Sequence, residues 1–159
     1  MKNESKNKKS KSVKPIPKGY HTVTPFLIVN GAASLLEFIT KAFGGKISFI
    51  MKGDDGKVSH ATIKVGDSII MVSDASERFQ ATSSMLHLYV EDVDSVYQSA
   101  LDARGISLRE PTDEFYGDRS AGVMDAWENQ WWIATHTEDL SDEEMQARKE
   151  KSTEQAVTQ

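Results

Sequence analysis

The sequence predicts an α+β fold: two tandem βαβββ modules whose sheets form a U-shaped, half-open mixed-sheet cleft, with the helices on its outer face. Three observations point there. Two stretches carry a one-face helical period, with Ala32, Leu35, Leu36, Ile39 and Phe43 in one and Val93, Val96, Tyr97, Ala100 and Leu101 in the other. An apolar strand-like run precedes each helix at the same offset, Thr24–Val29 and Met85–Val90, so that Leu27 corresponds to Leu88, Ala32 to Val93 and Gly44 to Gly105. Three further strand-like runs follow each helix, so one small unit is repeated in pattern.

The elements follow in order. In the first module, about residues 20–75, the strand at Thr24–Val29 leads to the helix, which Gly44 stops. Strands at Lys46–Met51, Ser59–Val65 and Ser68–Ser73 follow, and Gly53-Asp54-Asp55-Gly56 marks a hairpin turn. A polar linker, Asp74–Ser84, joins the modules. In the second, about residues 83–137, Gly105 is the helix stop, and strands at Ser107–Glu110, Arg119–Met124 and Gln130–Thr135 complete the unit. Asp125–Asn129 reads as a hairpin signal, with Asn129 able to take a left-handed turn.

Period-2 alternation assigns the faces. Leu27, Val29, Ala61, Ile63, Val65, Ile70, Val72, Leu86, Leu88 and Val90 should meet the helices. Thr24, Phe26, Ile28, His60, Thr62, Lys64, Ile69, Met71, Ser73, Met85, His87 and Tyr89 should face the cleft. In the last strand the same phase would turn Trp131, Ile133 and Thr135 toward the cleft.

Composition limits the alternatives. The 159 residues, 38% hydrophobic and 27% charged, suffice for one domain with a core, residues 19–137. No window approaches the uninterrupted apolar length of a membrane span, so no membrane partner is expected. There is no cysteine, which excludes thiol and disulfide chemistry. No apolar leader precedes the domain, so a cytoplasmic address is the expectation. The formal net charge of −5 is uneven: positions 1–18 hold seven Lys and one Glu, so the rest of the chain carries −11. An acidic body argues against nucleic acid as a partner of the folded part. Residues 1–18 are too polar to offset their ordering entropy and read as a disordered basic tail, either a solubilising extension or an electrostatic tether. Residues 138–159 form a second polar tail, in which Ser141 and Glu144 make a capping-box pattern for a short helix, about Asp142–Glu150.

These residues resemble a known family. The runs Pro25–Val29, Glu37-Phe38, Ala42–Gly44, Ser59–Ala61, Val65–Ser68, His87–Asp94, Tyr116–Arg119 and Trp132–His136 are, as a set, similar to the vicinal-oxygen-chelate superfamily. This is the glyoxalase/bleomycin-resistance/dioxygenase fold, and the likeness is to its PhnB-like branch, over about residues 20–145. Some PhnB-like proteins carry a ubiquinone methyltransferase label, but the chain has no glycine-rich strand–turn–helix for a methyl-donor nucleotide. The resemblance implies a homodimer, whose cleft walls come from one or two subunits. In metal-dependent members four side chains, His/Glu/His/Glu, hold a divalent metal that a substrate chelates. By register, those positions fall at Thr24, Met71, Met85 and Ile133, which lack the deprotonated donors such a metal needs. No metal and no cofactor are therefore expected.

Other constellations carry less. Of His21, His60, His87 and His136, His60 and His87 are expected in the cleft, with Asp118 near them. They are candidate general bases or displaced metal ligands, and equally ordinary hydrogen-bonded histidines. Phe115–Arg119 is either a lid with Tyr116 as ligand anchor or a turn in which Asp118 pairs locally with Arg119. The expected function is capture of a small, partly aromatic organic molecule, as in bleomycin-resistance relatives. It would bind among Thr24, Phe26, His60, Thr62, Met71, Ser73, Met85, His87, Tyr89, Tyr116, Trp131 and Ile133. The alternative is a lyase-, isomerase- or dioxygenase-type enzyme with a displaced metal or a His60/His87 acid–base site.

Overall fold

In the computed structural model, which describes residues 13–157, the repeat folds as two βαβββ modules followed by a third helix. The first module comprises β1 (Phe26–Val29), α1 (Ala32–Phe43), β2 (Lys46–Lys52), β3 (Val58–Val65) and β4 (Ser68–Asp74). The second comprises β5 (Met85–Tyr89), α2 (Val93–Asp102), β6 (Ile106–Asp113), β7 (Asp118–Met124) and β8 (Gln130–His136), and α3 spans Asp142–Val157. Each module makes one four-stranded mixed sheet, ordered β1-β4-β3-β2 and β5-β8-β7-β6. Among the described residues no helix is long and apolar enough to cross a membrane. Most of the basic N-terminal stretch, residues 1–12, lies outside the described residues.

The repeat is physical. In the first module's parallel pair Phe26 faces Met71 and Leu27 faces Val72; at the corresponding places in the second, His87 faces Trp132 and Leu88 faces Ile133. The helix starts match as well. Asp74, ending β4, accepts N–H bonds from Gly31 (2.7 Å), Ala32 (3.0 Å) and Val58 (2.8 Å). Burial alone would raise the Asp74 pKa, but the three donors outweigh it and hold the carboxyl below its ordinary range. At the equivalent position in β8, the Thr135 hydroxyl accepts from Val93 N–H at 2.9 Å. A side chain at the end of each module's last strand thus satisfies an orphan donor at the start of its helix.

The helices bury the stripes their sequences carry. Ala32, Leu35, Leu36 and Ile39 of α1 and Val93, Tyr97 and Ala100 of α2 are buried in one core spanning both modules. Gly44 ends α1 at φ 64, its N–H bonding Ile39 O, as expected of a left-handed stop. Gly105 does not play that part for α2. Arg104 takes the positive φ of 75, while a Cβ on Gly105 would overlap Val123 and the Ala100 carbonyl. Gly105 is required by space, not by its φ.

The phase of β8 corrects the sequence reading. Trp131 pairs with Leu86 and Ile133 with Leu88; both are fully buried on the helix side, not in the cleft. The Trp131 ring packs on Phe43 of α1 at 4.7 Å, and its indole N–H donates to Asp125 at 2.9 Å. Thr135 likewise turns to the helix side, to Val93. The open face of β8 belongs to Trp132, Ala134 and His136.

The Asp125–Asn129 turn is a buried polar knot. Asp125 is 2% exposed and accepts from Trp127 N–H, Asn129 N–H, Asn129 Nδ2 and Trp131 Nε1 at 2.9 Å each. Asn129 is fully buried, and its Oδ1 accepts from Ser84 N–H, anchoring the entry to β5. The positive φ of this turn falls on Glu128, not Asn129. Trp127 Nε1 reaches across to the Asn30 carbonyl of the first module at 2.7 Å. The modules also meet through α1 against α2, whereas no strand of one sheet borders a strand of the other.

Helix α3 runs past its expected end at Glu150 and continues to Val157. The Ser141–Glu144 box forms, with Ser141 N–H and hydroxyl both donating to Glu144 at 2.9 Å. No Gly or Pro interrupts the chain beyond Glu150.

Asp125→Ala should lower the unfolding free energy by about 3 kcal/mol, because it leaves the buried Trp131 and Asn129 donors without an acceptor. Urea denaturation measures this, and a loss below about 1 kcal/mol would show the knot to be dispensable.

Candidate functional site

The face of each sheet away from the helices is open. On the first sheet a row of side chains crosses four strands: Phe26, Met71, Thr62 and Phe49. His60 stands beside it, edge-on to Phe26 at 5.7 Å and tilted against Phe49 at 6.2 Å. Thr62 is buried at the floor, its hydroxyl sharing a 2.7 Å hydrogen bond with Ser48, and Ser73 is buried on the same face. Phe26, His60, Thr62, Met71 and Ser73 are thus brought to one surface, as their alternation indicated. Phe49 and Met51 join them and were not anticipated. A register shift between Ile47 and Phe49 leaves Ile47 opposite Ile63 on the helix side while Phe49 faces Thr62. Phe49 and Met51 are both half-exposed.

On the second sheet one row runs His87, Trp132, Gly122, Arg109. A Cβ on Gly122 would sit 3.0 Å from the Trp132 ring, so the missing side chain is what lets the indole lie on the sheet. The Arg109 guanidinium reaches over that gap to 4.9 Å from the Trp132 ring centroid. Its Nη2 pairs with Glu114 at 2.6 Å and donates to the Ser120 hydroxyl. The next row, Tyr89, Ala134, Ser120, Thr112, is small at its centre.

Asp118 is 4% exposed and holds two neighbours. The Tyr89 hydroxyl donates to it at 3.0 Å, and His136 Nδ1 bonds it at 2.8 Å while His136 Nε2 reaches Asp139 at 2.9 Å. The Asp118 hydrogen bond raises the Tyr89 pKa, and that bond with the one to Asp139 raises the His136 pKa. Arg119 does not pair with Asp118. It forks onto Asp94 at 2.7 and 2.8 Å and reaches Asp113 at 3.1 Å. Tyr116 lies in the turn before β7, its ring edge-on to Phe115, and Gly117 at φ 91 packs against Glu138.

A groove of about 1180 Å³ runs between the modules. It brings Thr24 together with His87, Tyr89 and His136, and its apolar walls include Phe43, Val65, Leu86 and Leu88. His60 and His87 are not brought together within one chain, for they sit on separate sheets whose strands do not touch. Among the described residues no group of three or more His, Asp or Glu is placed to hold a metal ion.

The family's four metal positions can be tested against these side chains. With Ile133 buried, the register that sets Met71 opposite Phe26 puts the fourth position at Trp132, opposite His87. The Thr24 hydroxyl donates to the His21 carbonyl, and Met71, Met85 and Trp132 offer two thioethers and an indole. That donor set does not fit a hard or borderline divalent metal.

A family model described as Glyoxalase/Bleomycin resistance protein/Dioxygenase superfamily matches residues 20–133. An uncharacterized protein of Mycobacterium bovis is 29% identical over 136 residues, spanning 79% of this chain and 90% of that protein. One from Mycobacterium tuberculosis matches equally, with 80% of its length covered. TioX from Micromonospora superposes with a TM-score of 0.60 at 19% identity, covering 72% of this chain and 98% of TioX. The PhnB protein from Bacillus cereus gives 0.56 at 22% identity, covering 72% and 99%. A glyoxalase/bleomycin resistance protein/dioxygenase from Nocardioides gives 0.58 at 16%, covering 77% and 87%. At these identities the structural likeness is one of fold.

His136 predicts a pH dependence. Its folded pKa lies above the ordinary value of about 6.5, so its ion pairs contribute fully below that pH. The contribution is lost as pH rises through the elevated value. Thermal melts from about pH 6 to 9 should show a decline in midpoint that His136→Gln removes; parallel curves would show the imidazole to be uncoupled from stability.

Proposed function

Because the chain belongs to the Glyoxalase/Bleomycin resistance protein/Dioxygenase superfamily, we propose that it is a PhnB-like binding protein. It captures a small, partly aromatic organic molecule without a metal. The observation that carries this reading is the chemistry of the open sheet faces. Phe26, Phe49, Met51, Met85 and Tyr89 remain substantially exposed there, where a water-facing sheet would ordinarily carry polar groups. The four positions that would carry metal ligands hold Thr24, Met71, Met85 and Trp132. Met supplies adaptable packing, aromatic rings supply stacking faces, and Thr24, His60 and His87 supply orienting polar contacts. Of these residues Thr24, His87 and Tyr89 also line the inter-module groove, which is roomy enough for a drug-sized molecule.

The same exposure supports the expected homodimer. Covering apolar surface is favourable by about 25 cal/mol per Å². A second copy would cover part of what one chain leaves open and wall the cleft from two subunits. The proposed address is the cytoplasm.

Two measurements test the reading. Tryptophan fluorescence and calorimetry across a diverse library should find at least one aromatic compound that saturates at micromolar concentration. A library that draws nothing, beside tight 1:1 uptake of a divalent metal, would sink it. Light scattering should return twice the 17.7 kDa chain mass. A monomer persisting at about 100 μM would remove the dimer.

A further inference from the structure

The row His87–Trp132–Gly122–Arg109 has a feature the binding reading leaves unused. Arg109, on the edge strand β6, is a cation at the end of an aromatic row, with Glu114 as its ion-pair partner. Its guanidinium lies over the Trp132 indole, one face taken by that ring. Nη2 is fixed by Glu114 and Ser120. Nε is buried and has no acceptor among the described residues. The side chain is nonetheless 37% exposed, so part of the planar cation faces the open side of the sheet. His87 and Tyr89, with ring centroids 4.9 Å apart, continue the same face at its other edge.

We infer that this row selects an aromatic carboxylate, whose carboxylate accepts from Nη1, the guanidinium nitrogen that Glu114 and Ser120 do not engage, and whose ring packs on the part of the Trp132 indole that the guanidinium leaves uncovered. The inference rests on the binding reading above and adds the charge and shape of the ligand. Guanidinium is the cation suited to this work, since it lies flat on a π surface while a nitrogen in its own plane still donates. The acids nearby do not repel such a ligand unopposed. Glu114 is paired with Arg109 itself, and Asp118 is held by the Tyr89 hydroxyl and His136. Asp113 is paired with Arg119.

Calorimetry with three matched probes tests this on the full-length protein: 2-naphthoate, 2-naphthamide and 2-naphthylmethylammonium. The acid should bind at least tenfold tighter than the amide, and the cation weakest. Arg109→Gln should bring the acid-to-amide affinity ratio to within twofold of one. Arg109→Lys keeps the charge but loses the planar group that the indole and Glu114 hold in place, and should lower the acid-to-amide ratio at least threefold. Should Arg109→Gln not fold by circular dichroism, the lysine variant decides alone. Equal binding of acid and amide, tightest binding of the cation, or a preference that survives both variants overturns the inference. If none of the three probes binds while the wider library yields other ligands, this inference fails and the binding reading stands; if the library also yields none, both fail.

Discussion

A single buried carboxylate, Asp125, sets the geometry that everything else uses. It sits in the turn between β7 and β8 and gathers four donors, two from the backbone of its own turn and two from the side chains of Asn129 and Trp131. The consequence reaches well beyond the turn. The bond to Trp131 fixes that indole on the helix side of its sheet, where it fills the space against Phe38 and Phe43 of the other module. The bond to Asn129 places a side-chain carbonyl oxygen to receive Ser84 N–H, which sets where β5 begins. Trp127, held by the same turn, bonds the Asn30 carbonyl. One anion therefore fixes the phase of β8, the start of β5 and a strap between the modules. Groups this deeply buried are costly unless fully paired, and Asp125 is fully paired.

The phase of β8 decides what chemistry the second sheet presents. With Trp131 and Ile133 committed to the core, Trp132, Ala134 and His136 fall on the opposite face of the sheet, where Ala134 is covered by its larger neighbours. Trp132 can lie down only because Gly122 is opposite it, and Arg109 reaches the indole only across the same gap. Ala134 and Ser120 keep the next row low, which lets Tyr89 lean to Asp118. The aromatic–cationic plate is thus a downstream product of a turn at the end of the sheet.

Much of this was legible in the sequence, and the exceptions have physical causes. The constant offset between the modules located both helices and most strands within a residue or two, because each module repeats the same apolar stripe and the same start and stop signals. The open-face placement of Phe26, His60, Thr62, Met71, Ser73, Met85, His87 and Tyr89 followed from simple alternation. Alternation failed at Trp131–Ala134, where an unbroken apolar run carries no period. The repeat held the answer even there, since Val72 lies on the helix side and Ile133 is its counterpart in the second module. Phe49 was hidden by a register shift, which no period-2 reading registers. Arg109 was hidden more thoroughly. Its neighbours in the chain give it no special character; a glycine on the adjacent strand and a tryptophan on the strand beyond it do.

The proposed binding function asks of the open faces something other than what a metal site asks of its ligands. A metal centre needs a few ligands at fixed distances, and replacing any of them by Thr, Met or Trp removes it. Stacking and cation–π contacts depend instead on flatness and exposure, which tolerate small shifts and come from the pleat of the sheet itself. Gly122 supplies flatness by subtraction, and Glu114 and Ser120 hold the guanidinium in place. Under the proposed reading, selectivity therefore comes from the shape and charge of what lies on the sheet rather than from ligands at fixed distances.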